Sequence, residues 1–235
     1  MVAAGSGQRL GASVPKAFVE VGGRTLLRWS LDQALACDEV AHVVVVAPAA
    51  WLLAARETAE DAAAQAGRGP QSGARAMRVD VVVGGSERRE SVAAGLAVLG
   101  PDDGLVLVHD AARAFAPPAL YARVVEALRH GHGAVIPGLP VVDTIKRVDA
   151  SGAVTATLDR AELRAIQTPQ GFVRDVLVHA HAENPGVTVT DDAGLVELTG
   201  APIHVVDGEE WAAKITTPHD LELAERRLAE VQERA

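Results

Sequence analysis

Aromatic side chains are scarce: three phenylalanines, three tryptophans and one tyrosine make up three per cent of 235 residues. The core must therefore be assembled from Ala, Val and Leu, in a chain 49% of whose residues are apolar. Cysteine occurs once, at Cys37, which excludes an intramolecular disulfide and a cysteine-based zinc site and suits a reducing compartment. No apolar run approaches the roughly 18 residues of a membrane span, and no signal peptide is recognisable. A soluble, cytoplasmic protein is the expectation. Positive charge is in the minority, with a formal net charge of −9. That balance argues against a nucleic-acid or anionic-membrane partner, because phosphate surfaces reward a basic protein. Any phosphate chemistry must then rest on cations clustered in one place. The length suits a single domain spanning 1–235.

Such a cluster stands at the start of the chain. Ala3-Ala4-Gly5-Ser6-Gly7-Gln8-Arg9-Leu10-Gly11 is followed by Val14-Pro15-Lys16. Small residues let backbone N–H groups approach an anion closely, and successive N–H groups form a nest for phosphate oxygens. Arg9 and Lys16 add two positive charges at the same mouth. The stretch is not a P-loop, since no Gly-Lys-Ser/Thr follows, nor a dinucleotide fingerprint, since Leu10 replaces the third glycine. A Gly-rich turn with two solvated cations is the plainer alternative. Only Met1 to Ala4 precede Gly5. The first strand is thus either very short or begins upstream of this Met, and the second is the expectation.

Further along, Leu26-Leu27, Leu31 and Ala34-Leu35 recur at helical spacing, and His42 to Ala47 reads as a buried β-branched strand. Residues 50–66 predict an Ala-rich helix, and Gly67 to Ala76 a polar, disordered surface loop. Val79 to Val83 is a strand ending in Gly84-Gly85-Ser86; a helix capped by Ser86 then carries Arg88, Ser91 and Leu96. Leu105 to His109 is a strand ending in Asp110-Ala111-Ala112-Arg113, Pro117-Pro118 opens a helix to about Arg129, and Ala134 to Ile136 is another strand. Short apolar strands alternating with helices predict an α/β fold, with a mainly parallel central sheet and helices on both faces. In such sheets ligands sit beyond the carboxyl ends of the strands. The Gly loop, Gly84-Gly85 and Asp110 all follow strands, so they meet on one edge. Val141 to Val148 and Val154 to Leu158, joined by Asp149-Ala150-Ser151-Gly152, predict a projecting hairpin whose simplest partner is a second copy of the chain.

Asp110 at a strand end suits Mg²⁺, which takes one or two carboxylates plus substrate phosphates; the alternative is an Asp capping the next turn. Arg113 either orients that Asp, meets phosphate or is a surface cation. Gly84-Gly85 with Arg88 and Ser91 can bring backbone close to a flat base. Thr144 and Arg160 lie on the arm, where a charge is usually just solvated. Thr168-Pro169-Gln170 and Thr188 to Asp192 are turn or cap signals able to present hydroxyls to phosphate. Lys214 stands in an apolar Ala-Ala-Lys-Ile setting, and Thr217-Pro218-His219-Asp220 opens the last helix with an N-cap Thr. The eight histidines lack metal-ligand spacing, and no Ser-His-Asp or Cys-His set is apparent.

Seven of these stretches occur in one order: Ala3 to Lys16, Gly84-Gly85 with Arg88 and Ser91, His109 to Arg113, Asp143-Thr144-Ile145-Lys146, Thr168 to Phe172, Thr190-Asp191-Asp192 and Lys214-Ile215-Thr216. Over essentially its whole length the chain resembles the 2-C-methyl-D-erythritol 4-phosphate cytidylyltransferases of the non-mevalonate isoprenoid pathway. The ribitol phosphate cytidylyltransferases share much of the pattern. The resemblance implies a Rossmann-like nucleotidyltransferase fold with a β-arm at about 138–168 that clasps a second subunit in a homodimer. It implies CTP held by Ala3, Ala4, Gly5, Ser6, Gly7, Gly84, Gly85, Arg88, Ser91, Ala111 and Arg113, with Mg²⁺ at Asp110. Arg9 and Lys16 would stabilise the transition state. Arg160, reaching across the dimer, and Lys214 would hold the methylerythritol phosphate, with Thr144, Thr168 and Thr190 nearby. Two departures stand out: Met1-Val2 where the family usually has Ile-Pro, and Ala212-Ala213 where it commonly has Asn-Ile. A related transferase for another polyol phosphate, or a nucleotide-binding protein without catalysis, are the competing readings.

Overall fold

The computed structural model describes residues 1–5, 7, 10, 14–67, 77–100 and 102–233. The elements are β1 (Glu20–Val21), β2 (Arg24–Thr25), α1 (Leu26–Leu35), β3 (His42–Ala47), α2 (Leu52–Gln65), β4 (Arg78–Val83), α3 (Arg88–Leu96), β5 (Leu105–Val108) and α4 (Pro118–Arg129). They continue with β6 (Ala134–Pro140), β7 (Lys146–Val148), β8 (Val154–Thr157), β9 (Arg164–Ile166), β10 (Gln170–Val173), α5 (Arg174–Glu183), α6 (Asp192–Leu198), β11 (His204–Asp207) and α7 (Pro218–Glu233).

Strands β3 and β4 pair in parallel over His42↔Arg78 to Ala47↔Val83. Between β3 and β5 the chain start supplies the missing strand: Val2 bridges Val46 and Asp110, both in parallel. Ala3 N–H donates to Val46 O at 2.8 Å and Val2 N–H to His109 O at 2.7 Å. Met1 to Ala3 thus pair as a short strand in the sheet. Below Met1 a cavity of about 430 Å³ opens between the two strands, floored by Val92 and Leu96 and walled by Tyr121 and Val125. On the other side β10 runs antiparallel between β5 and β6, and β11 joins β6 in parallel.

Side-chain alternation along β3 sorts the two layers. Val43, Val45 and Ala47 pack with Leu27, Leu31 and Leu35 of α1 and with Ala55, Ala59 and Ala62 of α2. The alanines recur at helical spacing and lack side-chain bulk, so α2 lies close to the sheet. On the opposite face Val92 and Leu96 of α3 meet Leu177 of α5, Leu195 of α6 and Phe172 of β10. Of the few aromatics, Phe172 and Tyr121 are buried in the core, and others form ring pairs. Phe18 stacks on Trp51 with centroids 4.5 Å apart, while Phe115 lies between Trp29 (5.4 Å) and Trp211 (6.3 Å).

The hairpin is shorter than its sequence suggests. Only Lys146–Val148 and Val154–Thr157 pair, with Asp149 closing the turn through its carboxylate; Val141 to Ile145 leave β6 without joining the ladder. Pairing of β6 with β9 forms the base of the arm. Gln170, read from sequence as part of a turn, opens β10 and is 1% exposed, because the slot between β5 and β6 buries both faces of that short strand. The N-cap of α3 is Glu87 rather than Ser86: Glu87 and Glu90 form a capping box, and the Ser86 hydroxyl donates to Glu90 instead. Helix α7 begins as the sequence implies, with Thr217 Oγ accepting from Asp220 N–H at 3.2 Å. Residues 68–76 of the polar loop lie outside the described residues.

Candidate active site

The carboxyl ends of β4, β5 and the chain-start strand open into a cleft of about 450 Å³. Ala3, Ala4, Gly5, Gly7, Lys16, Gly85, Arg88, Ser91, Asp110, Ala111 and Lys214 line it. The loop is closed by two backbone bonds, Leu10 N–H to Gly7 O at 2.9 Å and Lys16 N–H to Gly5 O at 3.3 Å. Gly7 has φ +69°, and a Cβ there would lie 2.9 Å from the Lys16 nitrogen. Only glycine permits that return. Gly84 is set by proximity instead: a Cβ would meet Ala4 Cβ at 2.7 Å and Ser91 Oγ at 2.8 Å. Gly84 thereby lets the loop and α3 face each other across one backbone. Ser6 and Arg9 lie outside the described residues.

At the floor stands Asp110, 9% exposed, with both carboxylate oxygens engaged. Arg88 Nε and Nη2 each lie 3.2 Å from Oδ1, and Lys214 Nζ lies 2.6 Å from Oδ2. Burial alone would raise the Asp110 carboxyl, but Arg88 and Lys214 outweigh it and hold the group well below the usual carboxylate range. The neighbouring His109 is driven the other way: burial lowers its pKa to about 3. The Thr168 hydroxyl hydrogen-bonds with Nδ1 of the ring at 3.1 Å, and Thr168 Oγ also accepts the Asp110 amide at 3.1 Å. Thr168 thus supports the Asp110 backbone from beneath.

Sequence reasoning missed Asp192 as a partner of this array. Only 1% exposed, it accepts from Arg88 Nη1 at 2.5 Å and lies 3.2 Å from His181 Nε2. Arg88 therefore spans two carboxylates contributed by β5 and α6. Burial would lower its pKa, yet Asp110 and Asp192 raise it. A doubled Asp after Thr190 was the available signal, but its two members differ: Asp191 caps α6 by accepting from Gly194 N–H at 3.1 Å.

Other candidates stand outside this cleft. Arg113 donates to Ala212 O at 2.7 Å and Ile166 O at 3.0 Å, tying the Lys214 segment to β9. Those bonds supply local order around Ala212-Ala213. Thr144 and Arg160 are exposed on the arm, with Arg160 Nη1 donating to Val142 O, and Thr190 is exposed just before α6.

Among the described residues no three His, Cys, Asp or Glu side chains gather to hold a metal. Mg²⁺ is held by one or two carboxylates together with substrate phosphates. A single ionised Asp110 in this cleft fits a metal that arrives with a nucleotide, not one caged by protein alone. Among the described residues no helix is long and apolar enough to cross a membrane.

An α/β sheet with a Gly loop, cations and one carboxylate converging at its carboxyl edge defines a nucleotidyltransferase. The family described as IspD, 2-C-methyl-D-erythritol 4-phosphate cytidylyltransferase, matches residues 1–230. A relative of that name from Nocardia farcinica is 54% identical over 226 residues, covering 96% of this chain and 91% of its own. The solved 4-diphosphocytidyl-2C-methyl-D-erythritol synthase of Anaerococcus prevotii superposes with a TM-score of 0.79 at 30% identity, covering 97% of this chain and 95% of its own. The solved 2-C-methyl-D-erythritol 4-phosphate cytidylyltransferase of Thermus thermophilus gives 0.73 at 37% identity, covering 97% of both chains. The chain belongs to the 2-C-methyl-D-erythritol 4-phosphate cytidylyltransferase family.

Proposed function

We propose that the protein transfers CMP from CTP to 2-C-methyl-D-erythritol 4-phosphate, giving 4-diphosphocytidyl-2-C-methyl-D-erythritol and pyrophosphate in isoprenoid precursor synthesis. The observation that carries this reading is Asp110, buried and ionised between Arg88 and Lys214, at the mouth of a Gly loop that also holds Lys16. An acceptor phosphate oxygen attacks the α-phosphorus of CTP; the new P–O bond forms as the bond to the β-phosphate oxygen breaks and pyrophosphate leaves. A phosphate monoester has a second pKa of about 6, so the acceptor is already a dianion at neutral pH and needs no general base. The obstacle is the approach of one anion to another. In-line positioning and cations aimed at the developing charge remove it. Loop N–H groups and Lys16 bind the triphosphate, and Lys214 neutralises the acceptor phosphate. Asp110 would hold a divalent cation, which when bound neutralises phosphate charge.

The arm serves a homodimer in this reading. Val142, Val148 and Val154 on it are 77, 54 and 60% exposed, and Thr144 and Arg160 find no place in the cleft of their own protomer. A partner's cleft is where they would complete the acceptor site. The buried single thiol Cys37 suits the cytoplasm.

Pyrophosphate release with Mg²⁺, CTP and methylerythritol 4-phosphate tests the activity, with ribitol 5-phosphate and ATP as paired controls. Release with the first pair alone is expected. Turnover of ribitol phosphate instead would move the protein to a different pathway, and silence with every pair would remove the catalytic reading.

A further inference from the structure

Lys214 and Arg88 hold the same carboxylate on unequal terms. Arg88 bridges to a second carboxylate, Asp192, and its side chain is 27% exposed. Lys214 bonds the Oδ2 atom of Asp110, and its side chain is 38% exposed at the cleft. The backbone on either side of Lys214 is pinned. The Ala212 carbonyl accepts from Arg113, and Ile215, 3% exposed, donates its N–H to Ala112 O at 2.9 Å. The ammonium can therefore leave Asp110 by side-chain rotation alone, whereas Arg88 is tethered at its other end by its ion pair with the buried Asp192.

A divalent cation needs that same oxygen. Mg²⁺ sits about 2.0–2.1 Å from its ligand oxygens, and an ammonium on the same oxygen would be a like charge within about 4 Å. We propose that Lys214 is a place-holder: it occupies the cation position on Asp110 until a metal-bound nucleotide displaces it, and the released ammonium then turns to the incoming phosphate. One side chain thus serves two anions in succession. This rests on the cytidylyltransferase reading for the nucleotide, but the exchange itself concerns only Lys214, Asp110 and a metal ion.

Mn²⁺ alone, titrated into nucleotide-free protein and followed by the electron paramagnetic resonance of the free ion, tests it. Lys214→Gln is expected to bind one Mn²⁺ at least about tenfold more tightly than the wild type, because a competing unit charge within about 4 Å is gone. Lys214→Arg keeps a cation on Asp110 and is expected to bind as weakly as the wild type; adding Asp110→Asn to Lys214→Gln abolishes the gain. Unchanged or weaker Mn²⁺ binding by a folded Lys214→Gln, or an equal gain in Lys214→Arg, would overturn the proposal. Failure of wild-type protein to release pyrophosphate would count against the cytidylyltransferase reading, and the nucleotide-free titration would still decide the exchange.

Discussion

Replacing Asp192 by asparagine keeps the side chain's shape and removes its charge. The carboxylate is 1% exposed, accepts from Arg88 at 2.5 Å and sits in the first turn of α6, where a negative charge also favours the helix N-terminus. Removing one partner of a buried ion pair costs about 3–5 kcal/mol. Arg88 retains Asp110 as a counter-charge, which places the loss near the lower end, at about 3 kcal/mol. For a chain of this length each kcal/mol moves Tm by about 2–4 °C, so a fall of about 6–12 °C is expected. Urea unfolding at neutral pH and calorimetry measure it directly. A double-mutant cycle with Arg88→Met is expected to show a coupling of at least about 1 kcal/mol between the two sites. The nucleotide side should respond as well: an Arg88 held at one end only is expected to weaken protection of the protein by CTP against thermal unfolding. A stability loss below about 1 kcal/mol, with no coupling, would refute the reasoning and leave Asp110 as the sole anchor of Arg88.

Lys16→Ala is expected to lose at least about two orders of magnitude in kcat, the scale of removing one oxyanion donor; a steady-state loss under about fivefold would take Lys16 out of the mechanism. Gly84→Ala pushes a methyl to 2.7 Å from Ala4 Cβ; overpacking of this kind costs about 1–3 kcal/mol by urea unfolding, and KM for CTP should rise as the loop shifts. For Asp220, burial pushes the carboxyl up, yet the Thr216 and Thr217 N–H and hydroxyl groups pull it down to about 2. Its unfolded value is about 3.9, so the unfolded state binds more protons between about pH 4 and 2. The stabilising effect is complete above that window and is lost as pH falls through it. The stability gap between wild type and Asp220→Asn should therefore close from about pH 4 to pH 2, as circular dichroism of acid unfolding would show.

Elements whose order is written in neighbouring residues were legible in the sequence. The His42 to Ala47 run is β3 residue for residue, and Pro118 opens α4 where a proline is tolerated. Strand β10 was not legible. Its four residues Gln-Gly-Phe-Val carry one glycine and one amide, and only the slot between β5 and β6 makes a strand of them. The valines of Val141 to Ile145 gave the opposite error, because β propensity without a partner edge does not build a ladder; the stretch meets the hairpin at Ile145, whose carbonyl accepts from Leu158 N–H at 3.0 Å. In the site, the convergence of the Gly loop, Gly84-Gly85 and Asp110 followed from strand ends alone. The bond between Arg88 and Asp192 spans 104 positions, and no local spacing encodes it. Arg113 shows the same limit: its charge was visible, but not its orientation toward two carbonyl groups.

The scarcity of aromatic residues has an optical consequence. The chain has three tryptophans, and two are tied through their neighbours to segments that carry cleft-lining lysines: Trp51 stacks on Phe18, two residues past Lys16, and Trp211, three residues before Lys214, lies against Phe115. Their emission is expected to report on those two segments, with Trp29 the third emitter. In a Trp29→Phe background a quenching or shift on adding CTP, metal or acceptor would show that the segment of Lys16 or of Lys214 responds to the ligand, and the protein carries its own pair of dyes for following it in real time.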